Sequence, residues 1–162
     1  MNDAHFHLVV NHLPIIIPVV GFLVMAGGLL TRSAIVQRVA YCIFILGALC
    51  TIPAAVSGEG AEEVVEHLNL ADHSIIHEHE EAAEVFILFS YALGVLALLG
   101  LWATMKRKTF GNIISVLTLV LSLVVIYLGS NAGTTGGEIR HTEIRNDSGG
   151  NTNTSQDDDD DD

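Results

Sequence analysis

Positive charge is scarce in this chain. Seven of its 162 residues are Lys or Arg, against 19 Asp or Glu, and the formal net charge is -12. The longest basic cluster is the tripeptide Lys106, Arg107, Lys108, which is too small for the basic patch that nucleic-acid binding requires. We therefore expect no nucleic-acid partner. Many of the acids lie near the end of the chain, and the polar segment 146–162 is expected to be a disordered acidic tail.

Cysteine is also rare, and familiar catalytic motifs are missing. Cys42 and Cys50 fall in one apolar stretch, and on a helix they lie about 12 Å apart along the axis. That separation excludes a disulfide between them, so both are expected to be small packing residues. The sequence has no nucleophile and base pair, phosphate-binding loop or metalloprotease motif. On these residues we do not expect the chain to be an enzyme.

Long apolar runs, in contrast, are abundant. Hydrophobic residues make up 50% of the chain, and they fall into runs that approach the roughly 20 apolar residues needed to cross a bilayer core. The runs cover residues 13–30, 39–56, 82–105 and 110–129. None shows the two-residue alternation of a barrel strand, and a helix satisfies its own backbone hydrogen bonds in lipid. The sequence therefore predicts an all-α integral membrane protein, with a four-helix bundle over residues 1–145 in a lipid bilayer.

The few basic residues predict the orientation of the bundle. Five of the seven lie between the first and second runs or between the third and fourth, and the other two are Arg140 and Arg145. The positive-inside rule therefore places loops 31–38 and 106–109 in the cytoplasm. Both termini and the link 57–81 then face the outer side of the membrane. All the histidines fall on that side: His5, His7, His12, His67, His73, His77, His79 and His141.

The link 57–81 is rich in His and Glu. Its second part, beginning HSIIHEHEE, predicts the protruding start of the third helix, and its AEEVVEHL segment predicts a short helix. Imidazoles with carboxylates can hold zinc or copper, whereas a pair of axial imidazoles can hold a haem iron. The spacing does not choose between these sites. The residues expected at a zinc or copper site are His67, His73, His77, His79, Glu63 and Glu80.

Glu84 stands apart from these carboxylates, because it lies at the entry to the third apolar run. An ionised carboxylate is costly there. We expect Glu84 to stay protonated, to pair with a histidine or to reach outward. In an electron-transfer protein it would couple reduction to proton uptake.

Three short motifs carry a resemblance to a known family. The segment HLVVNHLPI, with His7, His12 and Pro14, resembles the His-Pro-x-x-Val-His-Phe-Pro-Ile opening of a widespread bacterial four-helix membrane family, catalogued as domain of unknown function twenty-two thirty-one. The segment GGEIRH resembles its Gly-Gly-x-Leu-Val-Tyr-x-His closing, and HEHEEAAEVF takes the place of its mid-chain histidine. The likeness covers most of residues 5–145, and the link 57–81 departs from the family pattern.

The resemblance implies a role in membrane electron transfer, because such domains occur fused or adjacent to Rieske and c-type cytochrome domains. It implies His7, His12, His79 and His141 as candidate ligands of b-type haem. We expect His12 and His79 to be the axial pair, and we expect the chain after the fourth run to fold back so that His141 joins them. Two alternatives stay open, an outer-face zinc or copper binding or sensing protein and a structural anchor of a larger membrane complex.

Overall fold

The structure, a computed structural model, describes residues 3–68 and 71–141, and this part of the chain is helical without strands. The predicted all-α class is therefore confirmed for the described ranges, whereas the expected tail 146–162 lies outside them. The helices are α1 (Asp3–Val10), α2 (His12–Leu30), α3 (Ala34–His67), α4 (His73–Met105) and α5 (Gly111–Arg140).

Four helical stretches are long and apolar enough to cross a membrane, with α1 and α2 forming one of them. Only 28–33% of each apolar window is buried inside the bundle, and large side chains such as Leu30 (85% exposed) and Val56 (76%) point outward. An apolar exterior of this extent suits lipid and not water. A multi-pass membrane protein is thus supported, and the sides that the loops face stay a prediction.

The four long helices form a ring. Helices that follow one another in the sequence pack together, and the first of them, α2, also packs against the last, α5. Helix α2 contacts α3 and α5, α4 contacts the same two helices, and α1 packs on α3. The face that α5 presents to the bundle carries mainly small side chains at alternating steps of three and four. Those buried residues are Ser115, Thr118, Ser122, Val125, Gly129 and Ala132. Small residues at this spacing let helices approach closely in a membrane.

The link 57–81 is mostly helix, as its HSIIHEHEE and AEEVVEHL segments predicted, but AEEVVEHL continues α3 instead of forming a separate short helix. Helix α3 continues to His67 and α4 begins at His73, so only a short connection separates them. The 34 residues of α3 extend for about 51 Å, well beyond a hydrocarbon core of about 30 Å. Helix α5 likewise continues to Arg140, so the expected fold-back before His141 is also wrong. At the basic turns the helices end close to the ends of the apolar runs. The extra helical length beyond those runs therefore lies at the His-rich end.

Helix α1 is separated from α2 at Asn11. Pro14 explains this position, because proline has no amide hydrogen to bond the carbonyl four residues earlier and its ring crowds that carbonyl. The affected carbonyl belongs to Val10, the last residue of α1. The residue at the interruption, Asn11, lies at the His-rich end of the bundle.

Several glycines of the long helices lie at close helix contacts. A Cβ on Gly94 would overlap Ala48, and one on Gly100 would overlap the ring of Tyr41. Gly27, in contrast, has nothing within 4 Å of an added Cβ, so it does not lie at a packing contact.

Two tight turns close the basic end of the bundle, one after α2 and one after α4. In the first, the Ser33 amide donates to the carbonyl of Gly28 (2.9 Å) and the Arg32 amide to that of Leu29 (3.2 Å). The second turn repeats this Schellman pattern around Arg107. Glycine usually takes the left-handed position of the motif. Here Arg32 and Arg107 take it, each with φ of 52°, which costs about 1–2 kcal/mol for a residue with a Cβ.

Candidate cofactor cavity

A cavity of about 590 Å³ opens at the His-rich end of the bundle. Its volume falls within the roughly 300–1,000 Å³ of ordinary ligand pockets. All four of the histidines proposed as haem ligands line it: His7, His12, His79 and His141. Apolar side chains, among them Ile15, Phe86 and Ile87, form much of the remaining wall. The structure therefore brings together four imidazoles from three different regions of the sequence.

His79 is held against α5 by a hydroxyl. Its Nδ1 lies 3.0 Å from Thr135 Oγ1, and that hydroxyl lies 3.2 Å from the carbonyl oxygen of Ala132 and 3.3 Å from that of Asn131. We assign the single hydroxyl hydrogen of Thr135 to these carbonyls, because a carbonyl can only accept. The oxygen then accepts a hydrogen bond from His79 Nδ1–H, which leaves a lone pair on Nε2.

His7 makes the same arrangement on α3. Its Nδ1 lies 3.0 Å from Ser57 Oγ, and Ser57 donates to the carbonyl of Ala54 at 3.2 Å. By the same reasoning His7 carries its proton on Nδ1 and a lone pair on Nε2. The two histidines are half-buried, and they lie close enough to interact electrostatically.

A glycine follows each of the two hydroxyl residues. An added Cβ on Gly136 would lie 2.9 Å from His79 Cε1, whereas one on Gly58 would lie 4.0 Å from His7 Cε1. The ring of His79 therefore rests directly on the α5 backbone, where any side chain larger than hydrogen would displace it. His7 has more room.

His12 lies at the rim of the cavity. Its Nδ1 is 3.2 Å from the carbonyl oxygen of Leu8, so it too must donate from Nδ1 and keep its lone pair on Nε2. The side chains of His12 and His141 are exposed, in contrast to those of His7 and His79. These two are therefore peripheral members of the set.

Asn11 adds a polar atom that the helices do not satisfy. Its Oδ1 is buried and has no hydrogen-bond partner within the described residues, and the residue lines the cavity. Leaving a buried acceptor unpaired is costly. An orphaned acceptor in a cavity wall fits a cavity that holds a ligand or ordered water.

No known family, curated protein or solved structure matches this chain. The resemblance to the four-helix family therefore stays a prediction. The function has to be argued from the site itself.

The residues of the alternative zinc or copper site are not brought together. His73 pairs with Glu66 (3.1 Å), and His77 pairs with Glu80 (3.5 Å) and Glu81. His79 turns into the cavity, while His67 and Glu63 are exposed. Across residues 3–68 and 71–141, no group of three or more His, Cys, Asp or Glu is placed to hold a metal ion. The positions of the described residues therefore do not favour the zinc or copper site.

Glu84 is not one of the residues that line the cavity, although its neighbour Ala83 is. Its side chain is exposed on the outside of α4. Its role in proton coupling stays a prediction without a supporting contact in the described part of the chain.

Sequence reasoning missed Ser57 and Thr135, the hydroxyl partners of the two half-buried histidines. A pattern that occurs twice in the sequence could have indicated these two residues. A His-x-His motif occurs in α1 and again at the start of α4, and a hydroxyl residue followed by glycine occurs in α3 and again in α5. Comparing the two halves of the chain would have paired His7 with Ser57 and His79 with Thr135.

Proposed function

We propose that this protein is a membrane electron-transfer subunit that binds b-type haem in the His-lined cavity. One observation carries the proposal. His7, His12 and His79 all face an acceptor with Nδ1, so each presents the Nε2 lone pair. Histidines that bind metals usually donate their other ring N–H in this way, which fixes the tautomer and the ring orientation.

The contacts favour His7 and His79 as the axial pair. They are the more buried of the four, they are held by equivalent hydroxyls, and they come from opposite sides of the bundle, α1 on α3 and α4 on α5. The pair predicted from the sequence was His12 with His79. His12 sits at the rim on a single backbone contact, so we place it as a neighbour of the site.

The remaining wall fits the same ligand. Ile15, Phe86 and Ile87 offer apolar surface to a planar macrocycle. Haem supplies one-electron chemistry when it is bound. The chain's own part is to orient two imidazoles, to exclude water with apolar side chains and to set the local polarity.

The proposal includes the partners expected from the sequence. An electron carrier without substrate chemistry of its own needs one redox protein as electron donor and another as electron acceptor. Rieske or c-type cytochrome proteins on the periplasmic side of a bacterial inner membrane would meet the cavity at the His-rich end.

The test is a dithionite-reduced minus air-oxidised absorption spectrum of the detergent-purified full chain, with the haem content measured as the pyridine haemochrome. We expect b-type bands in the wild type. His7→Ala and His79→Ala should each lower haem retention by about tenfold or more, since each removes a ligand. His77→Ala is the matched control, because it lies two positions away on α4 and pairs only with surface glutamates.

The outcomes separate the readings. A flat wild-type spectrum would discard haem binding, and elemental analysis of the same sample for zinc and copper would then test the alternative. Loss of haem in His12→Ala but not in His7→Ala would restore the axial pair predicted from the sequence.

A further inference from the structure

A second cavity, of about 870 Å³, lies at the opposite, basic end of the bundle. Four cationic side chains line it: Arg32, Arg38, Arg107 and Lys108. They come from both turns and from the start of α3, so the fold gathers charges that are far apart in sequence. The haem proposal makes no use of this cavity.

Within residues 3–68 and 71–141, no carboxylate lies near these cations to neutralise them. The sequence has no Asp or Glu between residues 4 and 58 or between residues 85 and 137, which covers the transmembrane part of all the helices. The acids that the structure describes belong to the His-rich end. The cavity therefore has a strong and uncompensated positive potential.

Arg38 gives the clearest sign of a missing partner. One of its terminal nitrogens, Nη2, donates to the carbonyl of Thr104 at 2.9 Å. Its Nε is buried and has no hydrogen-bond partner within the described residues. A buried, unpartnered guanidinium nitrogen beside a cavity indicates that an acceptor normally completes it.

The backbone conformation of both turns also supports a ligand in this cavity. Arg32 and Arg107 hold the left-handed position where glycine would be relaxed, and both line the cavity. Strained residues that persist in a fold cluster at ligand sites. The positive-inside rule accounts for basic residues in these turns, but it does not require them to converge on one cavity.

The cavity also has an apolar side. Leu29, Ile35 and Val116 line it together with the cations, and Ile35 is 72% exposed on the bundle exterior. We propose that this cavity binds the phosphate head group of an anionic phospholipid from the adjacent leaflet, with its first acyl carbons on the apolar side. Basic pockets between transmembrane helices recognise such head groups, and arginine forks match phosphate oxygens.

The chain carries its own reporter for a test. Trp102 is its single tryptophan, and the Lys108 amine lies 5.7 Å from the centre of its ring. The full chain would be reconstituted in phosphatidylcholine vesicles with increasing fractions of phosphatidylglycerol carrying brominated chains. Brominated phosphatidylcholine gives the reference. The excess quenching of Trp102 by the anionic lipid measures its preference over the neutral one.

We expect a saturable preference for phosphatidylglycerol in the wild type. Arg38→Gln and Arg107→Gly should each lower it by about fivefold. Lys106→Gln is the matched control, because it removes the same charge from the same turn but Lys106 does not line the cavity. Glycine adopts the left-handed conformation of Arg107 without strain, so Arg107→Gly should fold. This variant therefore tests the lipid preference even if Arg38→Gln unfolds.

Three results would overturn the proposal. The first is equal quenching by the two brominated lipids in the wild type. The second is a loss of preference in Lys106→Gln as large as in the cavity variants, which would reduce the effect to overall charge. The third is reversal of the excess quenching by inorganic phosphate, which would assign the cavity to a free anion instead of a lipid.

Discussion

His79 Nδ1 and Thr135 Oγ1 lie 3.0 Å apart, and this contact joins the start of α4 to the end of α5. Thr135 satisfies two groups at once, because its hydrogen goes to its own helix while its oxygen accepts from the imidazole. This contact orients the ring, and a Thr135 hydrogen donated to the Ala132 carbonyl favours the tautomer protonated on Nδ1. His7 and Ser57 repeat the contact on α3, so two imidazoles are prepared by the same local chemistry.

Thr135→Val should weaken haem retention by about tenfold, because valine keeps the side-chain shape but removes the acceptor that orients His79. Pyridine haemochrome per purified chain is the measurement. Thr134→Val is the control, since Thr134 is exposed and its hydroxyl bonds only the Ser130 carbonyl on the same helix. Equal haem content in both variants would show that the hydroxyl does not position the ligand.

Gly136→Ala should displace the His79 ring, because the new Cβ would lie 2.9 Å from Cε1. We expect reduced haem retention and a shifted midpoint potential in redox titration, since a tilted axial ligand changes the iron environment. Gly58→Ala serves as the comparison, because Gly58 does not line the cavity. Its Cβ would lie 4.0 Å from His7 Cε1, an ordinary contact, so its spectrum and potential should match the wild type.

Two glycine substitutions should change the free energy of unfolding in opposite directions. Gly100→Ala forces a Cβ into the ring of Tyr41, and overpacking of this kind costs about 1–3 kcal/mol. Gly27→Ala meets nothing within 4 Å, so the better helix propensity of alanine should stabilise α2 by about 0.5–1 kcal/mol. Thermal unfolding in one detergent measures both. Destabilisation of equal size in both would contradict the packing described here.

Arg32→Gly should stabilise the detergent-solubilised protein by about 1 kcal/mol, because it relieves the left-handed φ of 52° at this position. Lys106→Gly tests the backbone argument, since Lys106 has φ of -85° and gains nothing from glycine. We expect the melting temperature to rise for the first variant and to fall or stay constant for the second. A fall in both would show that the Arg32 side chain stabilises the turn more than its backbone strains it.

Much of the fold follows from the sequence. The apolar runs ending at Leu30, Met105 and Gly129 could be predicted, because a helix that crosses a bilayer needs a continuous apolar segment. The two basic turns could be predicted as breaks between these segments. The length of the helices beyond the membrane could not. Helix α3 continues through Glu63 to His67, and no hydropathy change distinguishes a solvated helix from a polar link.

The candidate site divides in the same way. The sequence by itself determined that the histidines collect at one end of a helical membrane bundle, because alternating apolar and polar segments fix which ends coincide. Only the tertiary structure decided that His7 and His79 turn inward onto Ser57 and Thr135, whereas His77 stays at the surface with its glutamates. The physical reason is that the orientation of an imidazole depends on the hydroxyl and the space offered by a neighbouring helix. Local spacing along its own helix does not contain that information.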